Sequence, residues 1–147
     1  MAAVQRVVRE AYQKYVARIG GRPVPMDSDY EALVGQGRTW VADLDGEVVG
    51  ILVLQEAADH LLVENVAVAP GAQRHGIGAR LLDHAEERAR RAGLTEVRLY
   101  THEAMTENLA YYPRRGFRET HRETEDGFSR VFLTKVLAAP GDVGAGP

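Results

Sequence analysis

One continuous stretch, from Val66 to Leu82, restricts the fold of this chain more than any other. It opens with an apolar segment rich in β-branched residues and continues through Pro70 and Gly71, which predict a turn. Apolar residues then recur at helical spacing, and these are Ile77, Leu81, Leu82, Ala85 and Ala89. The stretch therefore predicts a strand, a glycine loop and a helix in immediate succession.

Two glycines, Gly76 and Gly78, stand at the predicted start of this helix. The first backbone N–H groups of an α-helix have no partner within the helix, and the helix dipole is positive at this end. Because glycine carries no side chain, an anion can approach these groups closely, and a pyrophosphate is the usual ligand of such a turn. We therefore predict an anion-binding site at the start of this helix.

Two common phosphate-binding patterns do not match the loop. The P-loop requires a lysine and a hydroxyl residue after its second glycine, but Ile77 and Gly78 follow Gly76 here. The dinucleotide pattern requires a third glycine where this chain has Leu81, and it opens a series of βαβ units of which only one is visible. Neither pattern explains the two glycines.

The remaining pattern is Gln73-x-x-Gly76-x-Gly78, directly after the segment Val-Ala-Val-Ala-Pro at 66–70. It closely resembles the acyl-CoA-binding motif Q/R-x-x-G-x-G/A of the GNAT superfamily of N-acetyltransferases. The resemblance implies that the predicted anion is the pyrophosphate of coenzyme A.

A second segment also resembles this family. Asn108 and Tyr112 are followed by Gly116-Phe117, in the manner of the family's N-x-x-x-Y and G-F/Y segment. A separation of four residues on a helix puts both side chains on one face, one turn apart, so both can line the same groove. The residues alone also allow Asn108 to be a capping-region amide and Tyr112 to be an ordinary core aromatic.

The resemblance implies a binding site for acetyl-CoA as the cofactor. The backbone of Val66, Ala67 and Val68 would bond its pantetheine arm. The loop would hold its pyrophosphate through Gln73, Arg74, His75, Gly76, Ile77, Gly78 and Ala79. Asn108 would contact the cofactor arm, and Tyr112 would lie beside its sulfur. No metal site is expected, and the absence of cysteine excludes thiolate metal sites and a cysteine nucleophile.

Transfer of an acetyl group to an amine needs a neutral nucleophile, whereas a lysine-like amine with a pKa of about 10.4 is mostly charged at neutral pH. A general base meets this need. The family often has a glutamate on the strand that enters the site, so the resemblance favours Glu64, with His102 and Glu103 as alternatives. Tyr112 would be the general acid, and a backbone N–H near Val66 would bind the oxyanion if the two parallel strands diverge there.

The rest of the chain predicts elements in the order of the GNAT fold. Helices are predicted from Val4 to Ile19, up to Val34, from Ile77, and from a Thr106 cap to about Arg115. Strands are predicted over 39–43, 48–55, 61–68, 97–101, 117–124 and 128–137. The fold class is α/β (α+β), with a mixed, mostly antiparallel sheet, one central parallel strand pair and helices on both faces. We expect a single domain over 1–137 and a disordered tail at 138–147.

The chain departs from the family pattern in two places. The amphipathic helix pattern starts at Val4, so the family's first strand is either missing or lost through a misplaced start codon; we expect an open sheet edge at Thr39 to Asp43 and a homodimer paired through it. Pro113 removes a helix hydrogen bond to the Leu109 carbonyl, and it biases Tyr112 away from helical backbone geometry.

Charge and hydropathy limit the partners. With a formal net charge of −3 and a pI near 6.0, the chain has no overall basic field, so we expect no nucleic acid partner and no membrane partner. The longest apolar run, Val48 to Leu54, is too short to span a membrane. We expect a soluble, cytoplasmic, bacterial protein.

The predicted function is acetyl-CoA-dependent N-acetylation of a primary amine on a small molecule or peptide. One alternative is a non-catalytic acyl-CoA-binding or sensor domain, which would have the same loop without a working base. A second is a nicotinamide- or flavin-binding domain, in which Glu103 would contact the ribose.

Overall fold

A computed structural model of the chain describes residues 2–13, 16, 30–125 and 127–137. The helices are α1 (Ala2–Tyr12), α2 (Tyr30–Gly35), α3 (Ile77–Arg91) and α4 (Thr106–Arg114), with a 3-10 helix at Pro70–His75. The strands are β1 (Thr39–Leu44), β2 (Glu47–Glu56), β3 (Leu61–Val68), β4 (Glu96–His102), β5 (Arg118–Glu125) and β6 (Phe128–Val136). Over these residues the predicted order of elements is confirmed, whereas the predicted end of the first helix at Ile19 lies outside the described part of the chain.

The six strands form one mixed sheet in the order β1-β2-β3-β4-β6-β5. Leu61–Val63 of β3 pairs in parallel with Val97–Leu99 of β4, whereas the β1/β2, β4/β6 and β5/β6 pairs are antiparallel. The parallel pair is the one predicted from the helical crossover between the two strands. Among the described strands β1 lies at an edge of the sheet, as expected, and the homodimer through that edge stays a prediction.

The chain divides into two compact units. The first comprises the stretches Met1–Gln55 and Glu64–Asp83, and the second comprises Glu56–Val63 and His84–Pro147. The single domain over residues 1–137 stays a prediction, and the predicted tail at 138–147 lies outside the described residues. Among the helices that the structure describes, none has the length and apolar character needed to cross a membrane.

In the first unit, helices cover both faces of β2, whose residues at 49–54 are all buried. A Cβ added to Gly50 would lie 3.0 Å from Ile77 of α3, so the absence of a side chain lets this helix approach the strand closely. Ile51 belongs instead to a core cluster with Val7 of α1. Successive strand residues point to opposite faces, which explains how two helices pack on one strand.

The turn between β1 and β2 follows the predicted hairpin chemistry. Asp45 and Gly46 have φ values of 54° and 82°, and the flanking pair Leu44 and Glu47 is in register. Positive φ at both central positions is the requirement of a type I′ turn, which Asp-Gly meets.

Of the two helix ends predicted in the second unit, the structure confirms one and contradicts the other. Gly93 ends α3 with φ 75°, as predicted, and Leu94 N–H donates a 2.8 Å bond to the Ala89 carbonyl. The predicted Thr106 cap of α4 is wrong, because Thr106 is already the first helical residue and Met105 stands at the cap without a capping side chain. Helix boundaries can shift by a residue in this way without any change in the helix itself.

Pro113 lies in the last turn of α4, so the hydrogen bond that it removes is near the helix end. Tyr112 keeps helical geometry despite preceding a proline, and its carbonyl accepts bonds from Arg115 N–H at 2.9 Å and Phe117 N–H at 3.1 Å. The pre-proline bias of Tyr112 is therefore overridden by the bonds that close the helix.

Candidate functional site

The glycine loop has the geometry of an anion-binding helix start. Gly76 ends the 3-10 helix with φ 71° and ψ 15°, a left-handed conformation that favours glycine, while a Cβ there would meet no atom within 4 Å. Arg80 N–H donates a 3.1 Å bond to the Gly76 carbonyl. The N–H groups of residues 77–79 come before that bond and have no partner within α3 itself.

The strand before the loop exposes its residues alternately. Ala67 is 4% exposed and belongs to the core cluster with α1, whereas Val66 and Val68 lie half-buried on the opposite face. The Ala69 N–H donates a 2.7 Å bond to the Val49 carbonyl, which anchors the end of β3 beside β2. The roles predicted for the backbone at 66–68 stay predictions.

Gln73, Arg74 and His75 form the end of the 3-10 helix, and their side chains lie outside the described part of the structure. Ile77 is buried, whereas Gly78 and Ala79 are half-buried in the first turn of α3. The phosphate contacts predicted for residues 73–79 stay a prediction.

Glu64 lies on the same face of β3 as Val66, and its carboxylate is engaged. Arg38 Nη2 lies 2.6 Å from Glu64 Oε1, and each side chain is 28% exposed. The contact is an ion pair and not an aligned hydrogen bond, because Nη2 is shielded from solvent and has no acceptor in hydrogen-bond geometry. Arg38 is not predicted by the sequence, since a residue just before a strand carries no local sign of a partner two strands away.

A buried amide stands beside Glu64. Asn65 is 6% exposed, accepts a 2.5 Å bond from Tyr12 Oη at the end of α1, and donates a 2.7 Å bond to Tyr30 Oη at the start of α2. Sequence reasoning also missed this cluster, although the alternation of β3 places Asn65 on the buried face with Val63 and Ala67.

In the second unit, Asn108 is oriented by β4. Its Nδ2 donates a 3.2 Å bond to Thr101 Oγ1, and this hydroxyl, on a residue 7% exposed, donates a 3.5 Å bond to Met105 Sδ. The donor end of the amide is therefore turned toward Thr101. The carbonyl Oδ1 is the end that a ligand can address.

Tyr112 lies one turn from Asn108 on α4 and is 7% exposed. Its ring packs edge to face against Tyr111 at 5.5 Å and against Phe117 at 5.6 Å. These contacts hold the ring in place, as a core aromatic requires, and they equally fix the direction of its hydroxyl.

His102 and Glu103, the two alternative candidates for the general base, each contact a neighbouring group of the protein. His102 Nδ1 accepts a 3.0 Å bond from the Ala104 N–H, which in a neutral ring places the proton on Nε2. Glu103 is half-exposed and lies 3.7 Å from Arg122 Nη1. His102 could accept a proton at Nδ1 only by giving up the bond from Ala104.

The predicted site residues belong to both units. The first unit contains Glu64, the strand segment 66–68 and the loop 73–79, which are close together along the chain. The second contains His102, Asn108 and Tyr112, of which the last two share α4. Within the residues that the structure describes, no group of three or more His, Cys, Asp or Glu could hold a metal ion.

Comparison with known proteins identifies the family of this chain. Residues 4–117 match the acetyltransferase (GNAT) family. The probable N-acetyltransferase camello of Xenopus tropicalis is 33% identical over 87 residues, which are 57% of this chain and 40% of that protein. The chain spans less than half the length of the curated relatives that it matches.

Solved structures share the fold. The IAA acetyltransferase from Bacillus cereus is 29% identical with a TM-score of 0.63, and the match covers 76% of this chain and 86% of that one. The PaiA N-acetyltransferase from Thermoplasma acidophilum, solved in complex with coenzyme A, is 21% identical with a TM-score of 0.76 and coverage of 92% and 91%. Since the family match extends from α1 to the end of the α4 region, this chain belongs to the GNAT family of acetyltransferases.

Proposed function

We propose that this chain is an acetyl-CoA-dependent N-acetyltransferase that acts in the cytoplasm on a primary amine of a small molecule or peptide. The observation that carries the proposal is the start of α3, where the left-handed Gly76 and the half-buried Gly78 follow the short 3-10 helix that comes after β3. Acetyl-CoA, when bound, supplies an acetyl group activated as a thioester.

The residues of the loop fit a diphosphate. The N–H groups of residues 77–79 lie ahead of the first α-type bond, and the positive end of the helix dipole favours an anion there. A Cβ at Gly76 would meet no atom of the described side chains within 4 Å, its two chain neighbours aside, which is consistent with the close approach of an anion. We assign the pantetheine arm to the backbone of Val66, Ala67 and Val68, and to Asn108 through Oδ1.

Glu64 is the general base in this proposal. Its Oε1 contacts Arg38, so Oε2 is the atom that we assign to the proton of the acceptor amine. His102 is the weaker candidate, because its Nδ1 already accepts the Ala104 N–H. Tyr112 Oη carries a proton that it can donate to the departing sulfur, and the backbone N–H near Val66 is assigned to the oxyanion.

Binding of acetyl-CoA is the first test. A ligand at 100 times its Kd stabilises the folded state by about 2.7 kcal/mol, so acetyl-CoA should raise the melting temperature while NAD should not. Thiol release with a panel of amines then measures transfer. Binding without transfer to any amine would favour the acyl-CoA sensor, and stabilisation by NAD alone would overturn the proposal.

A charge at Gly78 tests the site itself. Gly78→Asp places a carboxylate in the first turn of α3, which suits the helix dipole but repels a diphosphate. We expect acetyl-CoA affinity to fall at least roughly tenfold while the free protein keeps its stability, a loss equal to about 1.4 kcal/mol. Gly78→Ala is the matched control for side-chain bulk. Equal affinity in the aspartate variant and the control would place the diphosphate elsewhere.

A further inference from the structure

Arg38 is held at both its backbone and its side chain. Its carbonyl accepts a 3.0 Å bond from Leu54 N–H, and its Nε donates a 2.9 Å bond to the Leu54 carbonyl. Nη1 donates a further 2.9 Å bond to Gln36 Oε1. The guanidinium, which is planar and rigid, therefore has one fixed position at the end of β2.

The third nitrogen of this guanidinium meets Glu64. Nη2 lies 2.6 Å from Oε1, and both side chains are only 28% exposed. The chain position of Arg38 is just before β1, Leu54 is near the end of β2, and Glu64 is on β3. One side chain thus connects the ends of two strands to the carboxylate on a third.

We propose that Arg38 is a positioning residue that holds the Glu64 carboxylate in the orientation needed for proton transfer, an inference that rests on the proposed function. A free glutamate side chain samples several rotamers, and a catalytic group must be held closely to its productive geometry. The ion pair is made through Oε1, the carboxylate oxygen nearest Arg38, and Oε2 is the oxygen assigned to the amine proton under the proposed function.

The chain offers a matched control for this role. Arg6 Nη2 donates a 2.7 Å bond to the Val48 carbonyl near the start of β2, and its Nη1 lies 3.4 Å from Glu47 Oε1. Its side chain is 35% exposed, close to the value for Arg38. Arg6 therefore resembles Arg38 in contacting both the backbone of β2 and a carboxylate. It differs in that its carboxylate partners are Glu47 and Glu10, and not Glu64.

The experiment compares Arg38→Met, Arg6→Met, Glu64→Gln and the double variant Arg38→Met/Glu64→Gln. We expect Arg38→Met to lower kcat by roughly ten- to a hundredfold, since a small misplacement of a reacting group has an effect of this size. The Kd for acetyl-CoA should stay within about twofold, and Arg6→Met should change kcat by less than about twofold. In the Glu64→Gln background, Arg38→Met should have no further effect on kcat.

A measurement on the free protein separates this inference from the proposed function. Urea unfolding of the same four proteins gives the coupling between Arg38 and Glu64 without any cofactor, and we expect the two substitutions to be non-additive. Arg38→Lys keeps the charge but lacks the directed N–H groups, so we expect it to restore stability more than kcat.

The outcomes are distinct. Wild-type kcat in Arg38→Met, or an additive loss in the double variant, would overturn the positioning role. Wild-type kcat in Glu64→Gln would overturn both that role and the assignment of the base. If the wild-type protein transfers acetyl to no amine, the proposed function fails, and additive unfolding of Arg38→Met and Glu64→Gln would then show separately that Arg38 does not hold Glu64.

Discussion

Asn108 on α4 donates a 3.2 Å hydrogen bond to the Thr101 hydroxyl on β4. This bond orients the Asn108 amide, because one of the two N–H groups of Nδ2 is donated within the protein and Oδ1 lies at the other end of the amide. Thr101 is 7% exposed, so water does not readily replace it as the partner. The orientation of a predicted cofactor contact therefore depends on a strand residue that the motif does not include.

Thr101→Val should weaken acetyl-CoA binding. Valine has the shape of threonine but no acceptor, so Asn108 loses the bond that orients it, and a typical net bond energy of about 1 kcal/mol corresponds to roughly fivefold in Kd. Thr101→Ser keeps the hydroxyl and should bind like wild type. Isothermal titration calorimetry measures both, and an unchanged Kd in Thr101→Val would mean that Asn108 does not contact the cofactor.

Asn65→Leu should destabilise the first unit by about 1–3 kcal/mol. The substitution removes the hydrogen bonds to Tyr12 and Tyr30, each with a net value of about 0.5–1.5 kcal/mol. Tyr12→Phe removes one of the two bonds and should cost about half as much. Urea unfolding monitored by circular dichroism gives these values, and equal losses in Asn65→Leu and Tyr12→Phe would contradict the shared cluster.

Lys135→Met should destabilise the second unit by about 2 kcal/mol. Lys135 Nζ lies 3.0 Å from Oε2 of Glu86, a carboxylate side chain only 10% exposed, and Arg90 at 3.6 Å is a more exposed partner. A buried charge that loses its partner costs about 3–5 kcal/mol, a figure reduced here because Lys135 is partly exposed. Adding Glu86→Leu should recover part of the loss in a denaturation experiment. Further destabilisation by the double change would show that the pair is not coupled.

Because of His84, the free energy of unfolding should increase with pH near neutrality. The pKa of His84 is lowered from the usual 6.5, mainly by partial desolvation of the ring, whose edge is shielded although most of the residue is exposed, and then by the positive charges of Arg88 and Arg91, which outweigh Glu87. The unfolded chain then binds the proton more readily, so the stabilisation is fully present above pH 6.5 and is lost as the pH falls through 6.5 to the folded pKa. The effect should be small, because His84 is exposed. An NMR titration of His84 at or above 6.5 would contradict it, and His84→Gln should flatten the stability profile.

The local patterns in the sequence predicted the central strand, loop and helix correctly. Alternation along β3, the glycine at 76 and the helical spacing after Ile77 each act within a few residues, where backbone conformation is decided by neighbours. The parallel pairing of β3 with β4 also followed, since a helical connection restricts the topology. The cap at Thr106 was wrong by one residue, because capping depends on a backbone angle and not on residue type alone.

For the candidate site, the alternation of buried and exposed residues along the strands indicates contacts that the family motifs do not include. The period of two along β3 and β4 places Asn65 and Thr101 on buried faces, where a polar side chain needs a hydrogen-bond partner. Both residues were therefore detectable as candidates for a buried contact, although their partners were not. Tyr12, Tyr30 and Asn108 reach them from other elements.

By itself, the amino-acid sequence determined the order of elements, the family and the glycine loop, since these follow from short-range periodicity and backbone preference. The tertiary structure alone decided that Arg38 contacts Glu64, because that contact depends on the register of strands that are distant in sequence. The β1/β2 register even shifts between Ala42 and Asp43, a change that no spacing rule predicts. The packing of the strands decides which residue contacts the Glu64 carboxylate. The spacing of residues along one strand gives no information about that partner.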